Sequence, residues 1–405
     1  MKQYDSYKDS GVEWIGEVPS HWKVCRFKDF MRLSTEASTS NNKIGLENIE
    51  SKSGKFIETN TEFEGNGVAF DMNDIVYGKL RPYLQKVWLA EFAGNAVGDF
   101  FVFKAKENSM PTFIKFLLLS DGFTKEADGS TAGAKMPRVS SEFILTMHFC
   151  LPTKLEQTAI ANYLDKKCSE IDNGISAQQK RIALLQELKQ SVITHAVTKG
   201  LHPNVEMKDS GVEWIGEVPN HWEVKKLKWL FWNFDHLRKP ISAEKREREN
   251  PQYDYYGASG IIDKIDFYNV EDKVLLIGED GANLVFRNLP LIYKAEGKFW
   301  VNNHAHILKP RNHVDFEYMY YTLEAGDYST FITGSAQPKL SQSNLGMQVL
   351  PVPPYEEQLE IGEQLCKKCA SIDASISKAQ HQVDLLQEYK QSLITEVVTG
   401  KRKVS

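Results

Sequence analysis

Cysteine is scarce in this chain. Its five residues (Cys25, Cys150, Cys168, Cys366 and Cys369) are odd in number and unpatterned, which excludes a disulfide framework and predicts a reducing compartment, the cytoplasm. Long apolar runs are missing too: none approaches the ~20 residues that span a bilayer, and no charged-then-apolar signal opens the chain. Neither sign of charge dominates. Lys and Arg number 49 against 54 Asp and Glu, for a net charge of −5 and a pI near 6.1. Any attraction to a polyanion must therefore rest on local basic surface or on basic partners. The phosphate-gripping GxxxxGK[ST] loop is absent, as is the [DNS]-P-P-[FYW] signature of amino-group methyltransferases, for which Asn288-Leu-Pro-Leu291 is no substitute. Glu271-Asp-Lys273 matches only the tail of a nuclease motif, a triplet that this composition produces by chance. Catalysis by this chain alone is not expected.

What is present is a duplication. KDSGVEWIGEVPSHWKV, from Lys8 to Val24, returns from Lys208 to Val224 with only Ser20/Asn220 and Lys23/Glu223 changed. LLQELKQSVITHAVT from Leu184 returns as LLQEYKQSLITEVVT from Leu385. The offsets are 200 and 201 residues, so one module is written twice, while the segments between the repeated blocks hardly match. A hydrophobic fraction of 41% with 25% charged residues is that of a globular chain, and 405 residues exceed one ordinary core. A fixed frame with two unlike inserts suggests two different recognition surfaces at a set separation.

Thr153 to Thr198 reads as one long helix. It opens on the capping box Thr153-x-x-Glu156 and closes near Gly200. Leu164, Cys168, Ile171, Ile175, Gln178, Ile182, Leu185, Lys189, Val192 and Ala196 alternate in steps of four and three, the seam of a coiled coil. The second copy holds that register in Leu365, Cys369, Ile372, Ile376, Ala379, Val383, Leu386, Lys390, Leu393 and Val397. The two seams are expected to pack on each other, with Lys189 and Lys390 either snorkelling or setting register. Asn173-Gly174 is a weak point where a kink is conceivable.

The inserts mix strand and helix patterns. Asp74 to Tyr77, Phe100 to Phe103, Lys273 to Ile277 and His306 to Leu308 read as strands; Thr112 to Leu119 and Phe316 to Leu323 read as helices. The fold class is α+β, divided as 1–150, a helix over 151–200, 201–352, and a helix over 353–405. The second frame block follows the first helix, but the first block follows nothing. Equivalence of the two copies requires the first block to sit beside the end of the second helix, with the termini close and a pseudo-twofold, circular repeat.

The frame resembles the specificity subunits of Type I restriction-modification systems over essentially the whole chain. The resemblance is carried by DSGVEWIGEVPSHW (Asp9 to Trp22) and its copy, by LPTKLEQ and PPYEEQ at the helix starts, and by the paired LLQE-x-KQS-x-IT helix ends. YYGASGI (Tyr255 to Ile261) and TGSAQPKLSQSNL (Thr333 to Leu345) also carry it. It implies two α/β target recognition domains separated by an antiparallel helix pair. Each domain would read half of a bipartite double-stranded DNA target, and the halves would differ because the inserts differ. The helices would set the spacer and dock two modification subunits that methylate adenine with S-adenosylmethionine. Restriction subunits would add cleavage driven by ATP and dependent on Mg. No cofactor or metal is expected on this chain. Pro354 departs from the pattern where the first helix has Thr153, and is expected to change only how the second helix starts. Two other readings stay open: a protein-only coiled-coil adaptor, and a stand-alone DNA-modifying enzyme.

Within the inserts, GKLRPY places Lys79, Arg81 and Tyr83 in a turn after a strand, where cations beside an aromatic can hold phosphate and base edge. The bland alternative is a solvated basic loop. GSTAGAKMPRVS (Ser130, Lys135, Arg138) and GSAQPKLSQSNL (Ser335, Gln337, Lys339) lie at matching places before the long helices, as DNA-contacting loops or as plain feeds into a strand. Ser259, Asn303 and His304 complete the candidate DNA contacts. His304 and His306 lack a suitable third ligand for a metal site. The helix-pair interface is assigned to Leu164, Ile171, Ile175, Ile182, Leu185, Val192, Leu365, Ile372, Ile376, Val383, Leu386 and Leu393. Arg238, Lys239, Lys245, Arg246 and Arg248, with Glu244, Glu247 and Glu249 between them, read as a solvated helix face or a nucleic-acid contact. Cys366-x-x-Cys369 reads as core packing on the seam, and the frame residues Trp14, Trp22, Trp214 and Trp222 as packing at the helix–domain joint.

Overall fold

A computed structural model describes residues 3–38, 40–133, 135–242 and 251–404. The chain forms two compact units, residues 1–179 with 380–405, and residues 180–379. The long helices Lys154–Lys199 and Tyr355–Val398 therefore each contribute one half to each unit. Both run without interruption, so Asn173-Gly174 does not break the first. The second begins at Tyr355, the equivalent of Lys154, so Pro354 removes a capping hydroxyl without moving the helix start.

In the first unit an antiparallel sheet has the strand order Met31–Ser34, Phe100–Ala105, Ile75–Gly78, Val87–Leu89. The sequence IVYG of Ile75–Gly78 is buried throughout, as suits a central strand covered on both faces. Pro111–Leu118 buries Phe113, Ile114, Phe116 and Leu117 in the core that also takes Tyr77, Phe103 and Phe149. A second small sheet, built on Gly67–Phe70 and Gly94–Ala96, has its own core around Trp88. In the second unit a six-stranded sheet takes the corresponding place, with Val270–Gly278 between Ala305–Pro310 and Ile292–Val301. The strands and helices read from the sequence all coincide with observed ones, with Asp74, Leu119 and Thr153 falling one residue outside theirs.

The repeated frame is the same object twice. Tyr7–Asp9 pairs with Glu17–Pro19, and Met207–Asp209 with Glu217–Pro219, in identical register. Asp9 and Asp209 each accept a hydrogen bond from the glycine two residues on, at 2.9 Å in both copies. Lys23–Arg26 pairs with His148–Leu151, and Glu223–Lys226 with Val349–Val352, so each unit closes just before a long helix starts. Within the first unit Lys401 donates to the Glu17 carbonyl at 2.6 Å and Lys403 lies 3.9 Å from Asp5. The first frame block does sit beside the end of the second helix.

The seam is buried mainly toward the sheets, with Ala379 and Val383 the buried exceptions in its middle. Leu164, Cys168 and Ile171 meet Leu393 and Val397 in the first unit; Leu365 and Cys369 meet Ile193, Ala196 and Val197 in the second. Val383 is also buried, whereas Ile175, Ile182, Leu185, Val192, Ile372, Ile376 and Leu386 are half-buried, because a two-helix seam has no third layer to cover it. The seam lysines are ion-paired across the antiparallel helices of their own units. Lys390 Nζ lies 2.7 Å from Asp172 Oδ1, and Lys189 Nζ lies 2.7 Å from Asp373 Oδ1. Asp172 also receives Lys55 at 2.8 Å.

The two pairs differ in exposure. The Lys390 side chain is 10% exposed and that of Lys189 32%. Lys390→Ala, which removes the more buried of the two lysines on a largely covered carboxylate and leaves it only Lys55, should cost about 1–3 kcal/mol. Lys189→Ala should cost no more than ~1 kcal/mol. Denaturant unfolding of both variants checks this; equal costs would show that burial does not set the strength of these pairs.

Candidate nucleic-acid interface

Each unit carries the same loop frame at the end of a central strand. In the first unit the strand Ile75–Gly78 ends and the chain turns through Lys79, Leu80 and Arg81. The loop 132–139 is stitched onto that turn: Arg81 N donates to the Pro137 carbonyl at 2.8 Å, Val139 N donates to the Lys79 carbonyl at 3.1 Å, and Leu80 bridges Arg138. Lys79 N in turn donates to the Asp99 carbonyl at 2.9 Å. In the second unit Gly281 N donates to the Pro338 carbonyl at 3.0 Å, Leu340 N to the Glu279 carbonyl at 2.7 Å, Asp280 bridges Lys339, and Glu279 N donates to the His304 carbonyl at 2.9 Å. The backbone plan is common; the side chains on it are not.

The first unit places cations around one carboxylate. Arg138 reaches both oxygens of Asp99, at 3.0 and 2.9 Å, and Lys79 Nζ lies 3.7 Å from Asp99 Oδ1. The Arg138 guanidinium holds the Asp99 carboxyl below the usual aspartate range. Arg81 and Tyr83 are exposed on the same turn and Lys135 is exposed in the stitched loop. Ser130 stands apart from the turn; its hydroxyl donates to the Ala127 carbonyl at 2.8 Å and finishes the helix Asp121–Gly129.

The second unit inverts the arrangement. Acids sit on the turn, and the imidazole of His304, Lys339 and Arg238 face them. His304 Nδ1 lies 2.7 Å from Asp280 Oδ2, and Lys339 Nζ 3.1 Å from Glu279 Oε1. Arg238 pairs with Glu279 and also donates to the Asn303 carbonyl at 3.3 Å. Burial pushes the Glu279 carboxyl up, but the hydrogen bonds from Arg238 and Lys339 outweigh it and keep the group ionised. Arg238 is thus a partly buried latch rather than part of a solvated helix face. Lys245, Arg246 and Arg248, with Glu244, Glu247 and Glu249, lie outside the described residues. Ser259 occupies the turn between Tyr253–Gly257 and Gly260–Ile265, and the neighbouring Ala258 carbonyl lies 2.7 Å from where a Cβ on Gly278 would stand. Ser335 and Gln337 are exposed in the loop that carries Lys339. Ser259, Asn303, His304 and Lys339, assigned separately from the sequence, therefore converge on the turn Gly278–Gly281.

That turn was missed. Its signal was nonetheless in the sequence: Gly278 follows Gly78 at the frame offset of 200, and Pro338-Lys339 follows Pro137-Arg138 at 201. His306 is not an outward-facing residue. It is fully buried, with Nδ1 2.6 Å from Asp235 and Nε2 2.8 Å from the Leu340 carbonyl, and so fixes the stitched loop from behind. Among the described residues no group of three His, Cys, Asp or Glu is placed to hold a metal ion, and no helix is long and apolar enough to cross a membrane. Cys369 is buried in the core and Cys366 half-buried, and both are free thiols.

The joint to the helices is also duplicated. His21 Nε2 lies 2.8 Å from Glu156 Oε1, and Trp22 Nε1 donates to the same oxygen at 3.5 Å; His221 and Trp222 approach Glu357 at 2.9 and 3.1 Å. Gln157 accepts from Met110 N at 2.8 Å and Gln358 from Asp315 N at 2.9 Å, each fastening a long helix to the first turn of a domain helix. Trp22 and Trp222 are fully buried, so these frame tryptophans serve packing.

A family model for the Type I restriction modification DNA specificity domain matches residues 219–378. A Haemophilus influenzae chain described as a Type I restriction enzyme specificity subunit is 32% identical over 127 residues, 31% of this chain and 32% of that one, so this match spans about a third of the relative. The MjaVIII specificity subunit of Methanocaldococcus jannaschii is 24% identical over 440 residues, covering 96% of this chain and 94% of that one. Among solved structures, a chain from work on complex assembly and conformational transition of the Type I restriction-modification system superposes with a TM-score of 0.72 at 16% identity. It covers 94% of this chain and 98% of that one, which shows the fold. With a duplicated frame, two unlike domains and two long helices, the chain is similar over nearly its whole length to the specificity subunits of Type I restriction-modification systems, and its residues 219–378 match their DNA specificity domain.

Proposed function

We propose that each unit reads one half of an asymmetric, two-part DNA target, through the stitched loops at the end of its central strand. The observation that carries this is the shared loop frame bearing different side chains: Lys79, Arg81 and Arg138 in one unit, Glu279, Asp280 and Lys339 in the other. A scaffold held constant while its exposed groups change suits the reading of two different sequences. The long helices set the unread spacer and dock two modification subunits, which supply S-adenosylmethionine-dependent adenine methylation. Restriction subunits, where they join, bring ATP and Mg. The subunit itself contributes recognition and no catalysis, and it works in the cytoplasm.

Co-expression with the modification subunit, followed by sequencing that reports methylated adenines, should give a two-part motif with unlike halves and a fixed gap. Exchanging residues 25–150 for the insert of another such subunit should change one half only; changes in both would contradict the modular reading. One heptad added to both helices should lengthen the gap by roughly 10 Å, about three base pairs.

The Asp99 cluster gives a separate test. Asp99→Asn releases Arg138 and Lys79, and should raise affinity for duplex DNA several-fold at low salt with a steeper salt dependence. Because Asp99 titrates below the ordinary range, its pairing persists at neutral pH and is lost only as pH falls through that depressed value. Wild type should therefore approach the variant in acid and differ from it at neutral pH. An Asn variant indistinguishable from wild type at neutral pH would remove this cluster from the DNA surface.

A further inference from the structure

Arg81 occupies a position that the second unit gives to glycine. Its backbone is left-handed, with φ +52°, and Gly281, which makes the equivalent hydrogen bond to the stitched loop, has φ +101°. The frame thus demands a positive φ at this point, which glycine adopts freely and an arginine adopts at a cost. At Gln85, the next left-handed residue of the same turn, the cost is offset by a buried side chain that donates to Thr124 at 2.9 Å and accepts from Gln391 at 2.9 Å. Arg81 has no such compensation: its guanidinium is exposed and, among the described residues, has no hydrogen-bond or ion-pair partner. A Cβ on Gly281 would meet nothing within 4 Å, so this place in the frame points a side chain outward.

The surrounding groups sort by freedom. Lys79 and Arg138 are engaged by Asp99. Lys135 sits in a small-residue loop on a flexible stem, which suits a phosphate. Arg81 is pinned on one side by its N–H to Pro137 and followed by Pro82, which is buried and fixes the next φ. A free guanidinium on a fixed backbone is what base reading requires, since its planar fork matches the O6 and N7 acceptors of guanine in the major groove.

We infer that Arg81 is the residue by which the first unit selects a guanine, and that the second unit, with Gly281 there, makes no equivalent contact. The inference rests on the proposed reading of one half-site per unit. Arg81→Gly, Arg81→Asn and Arg81→Lys are each co-expressed with the modification subunit, and the methylated motif is sequenced. Glycine and asparagine both tolerate this backbone, so both variants should fold, with a melting temperature no lower than wild type. All three should lose the preference for guanine at one position of one half-site, by on the order of ten- to a hundredfold, and leave the other half unchanged. Lysine should not rescue it, because it keeps the charge and loses the fork. An unaltered motif in the glycine and asparagine variants would overturn the inference, as would a uniform loss of methylation that lysine restores, the behaviour of a phosphate contact. A wild-type complex that writes no two-part motif would remove the underlying reading, and this inference with it.

Discussion

The architecture depends on one carboxylate at the start of each long helix. Glu156 accepts from the Thr153 backbone to close its own helix end, and from His21 and Trp22 to hold the frame block against that end. Burial works against its charge, and the hydrogen bonds from His21 and Thr153 outweigh that penalty, so the group stays ionised where it is needed. Glu357 does the same for His221 and Trp222. A helix of more than 40 residues is useful as a spacer only if its direction is fixed relative to the domain that it carries. A single charged acceptor with two donors from another segment fixes that angle more firmly than apolar packing, which tolerates sliding. The fully buried Gln157 and Gln358 supply a second point of attachment. Two attachments to one helical turn leave little freedom to rotate, which explains why this stretch of sequence is copied almost unchanged while the inserts are not.

The same logic separates scaffold from message within the inserts. The hydrogen bonds that stitch the late loop to the turn are made by backbone groups, so they survive replacement of every side chain on the turn. Lys79 and Glu279 occupy one place, Asp99 and His304 another, and Arg138 and Lys339 a third. Charge is reversed at the first of these places without loss of the frame, since in each unit the opposite charge is supplied nearby. Local neutrality, rather than any particular residue, is what the fold asks for there.

Much of this was legible in the sequence because it was written twice. The helices, their seam and the caps follow from periodicity and from Thr153-x-x-Glu156, and the duplication fixed which copy packs against which helix end. The central strands were readable because IVYG and VLLIG are apolar runs of strand length. The turn at Glu279 was signalled only by Gly278 and Pro338 standing at the frame offsets from Gly78 and Pro137, because acids carry no recognisable pattern for an anionic partner and the equivalence with Lys79 is a matter of backbone hydrogen bonds. The half-burial of much of the middle seam was not readable, since heptad spacing shows which residues face the partner helix and not whether anything lies beyond it. Pro354 is expected to change how the second helix starts, and it removes the hydroxyl and N–H that bond Glu156 in the first copy, yet the helix still starts at the equivalent residue, Tyr355.

The negative net charge is consistent with a DNA-reading role once the acids are located. Glu156 and Glu357 are committed to the joints, Asp172 and Asp373 to the seam lysines, and Asp99 and Glu279 to cations of their own loops. Each is screened at short range by a partner. What reaches a ligand is the local arrangement that pairing leaves unspent: in the first unit the uncommitted Arg81 and Lys135, in the second a turn whose acids are largely answered. A chain arranged in this way gains little from long-range attraction to DNA, so discrimination between sequences must come from contacts at the loops. Long-range attraction, where it is needed, has to be supplied by partners rather than by this chain's own net charge.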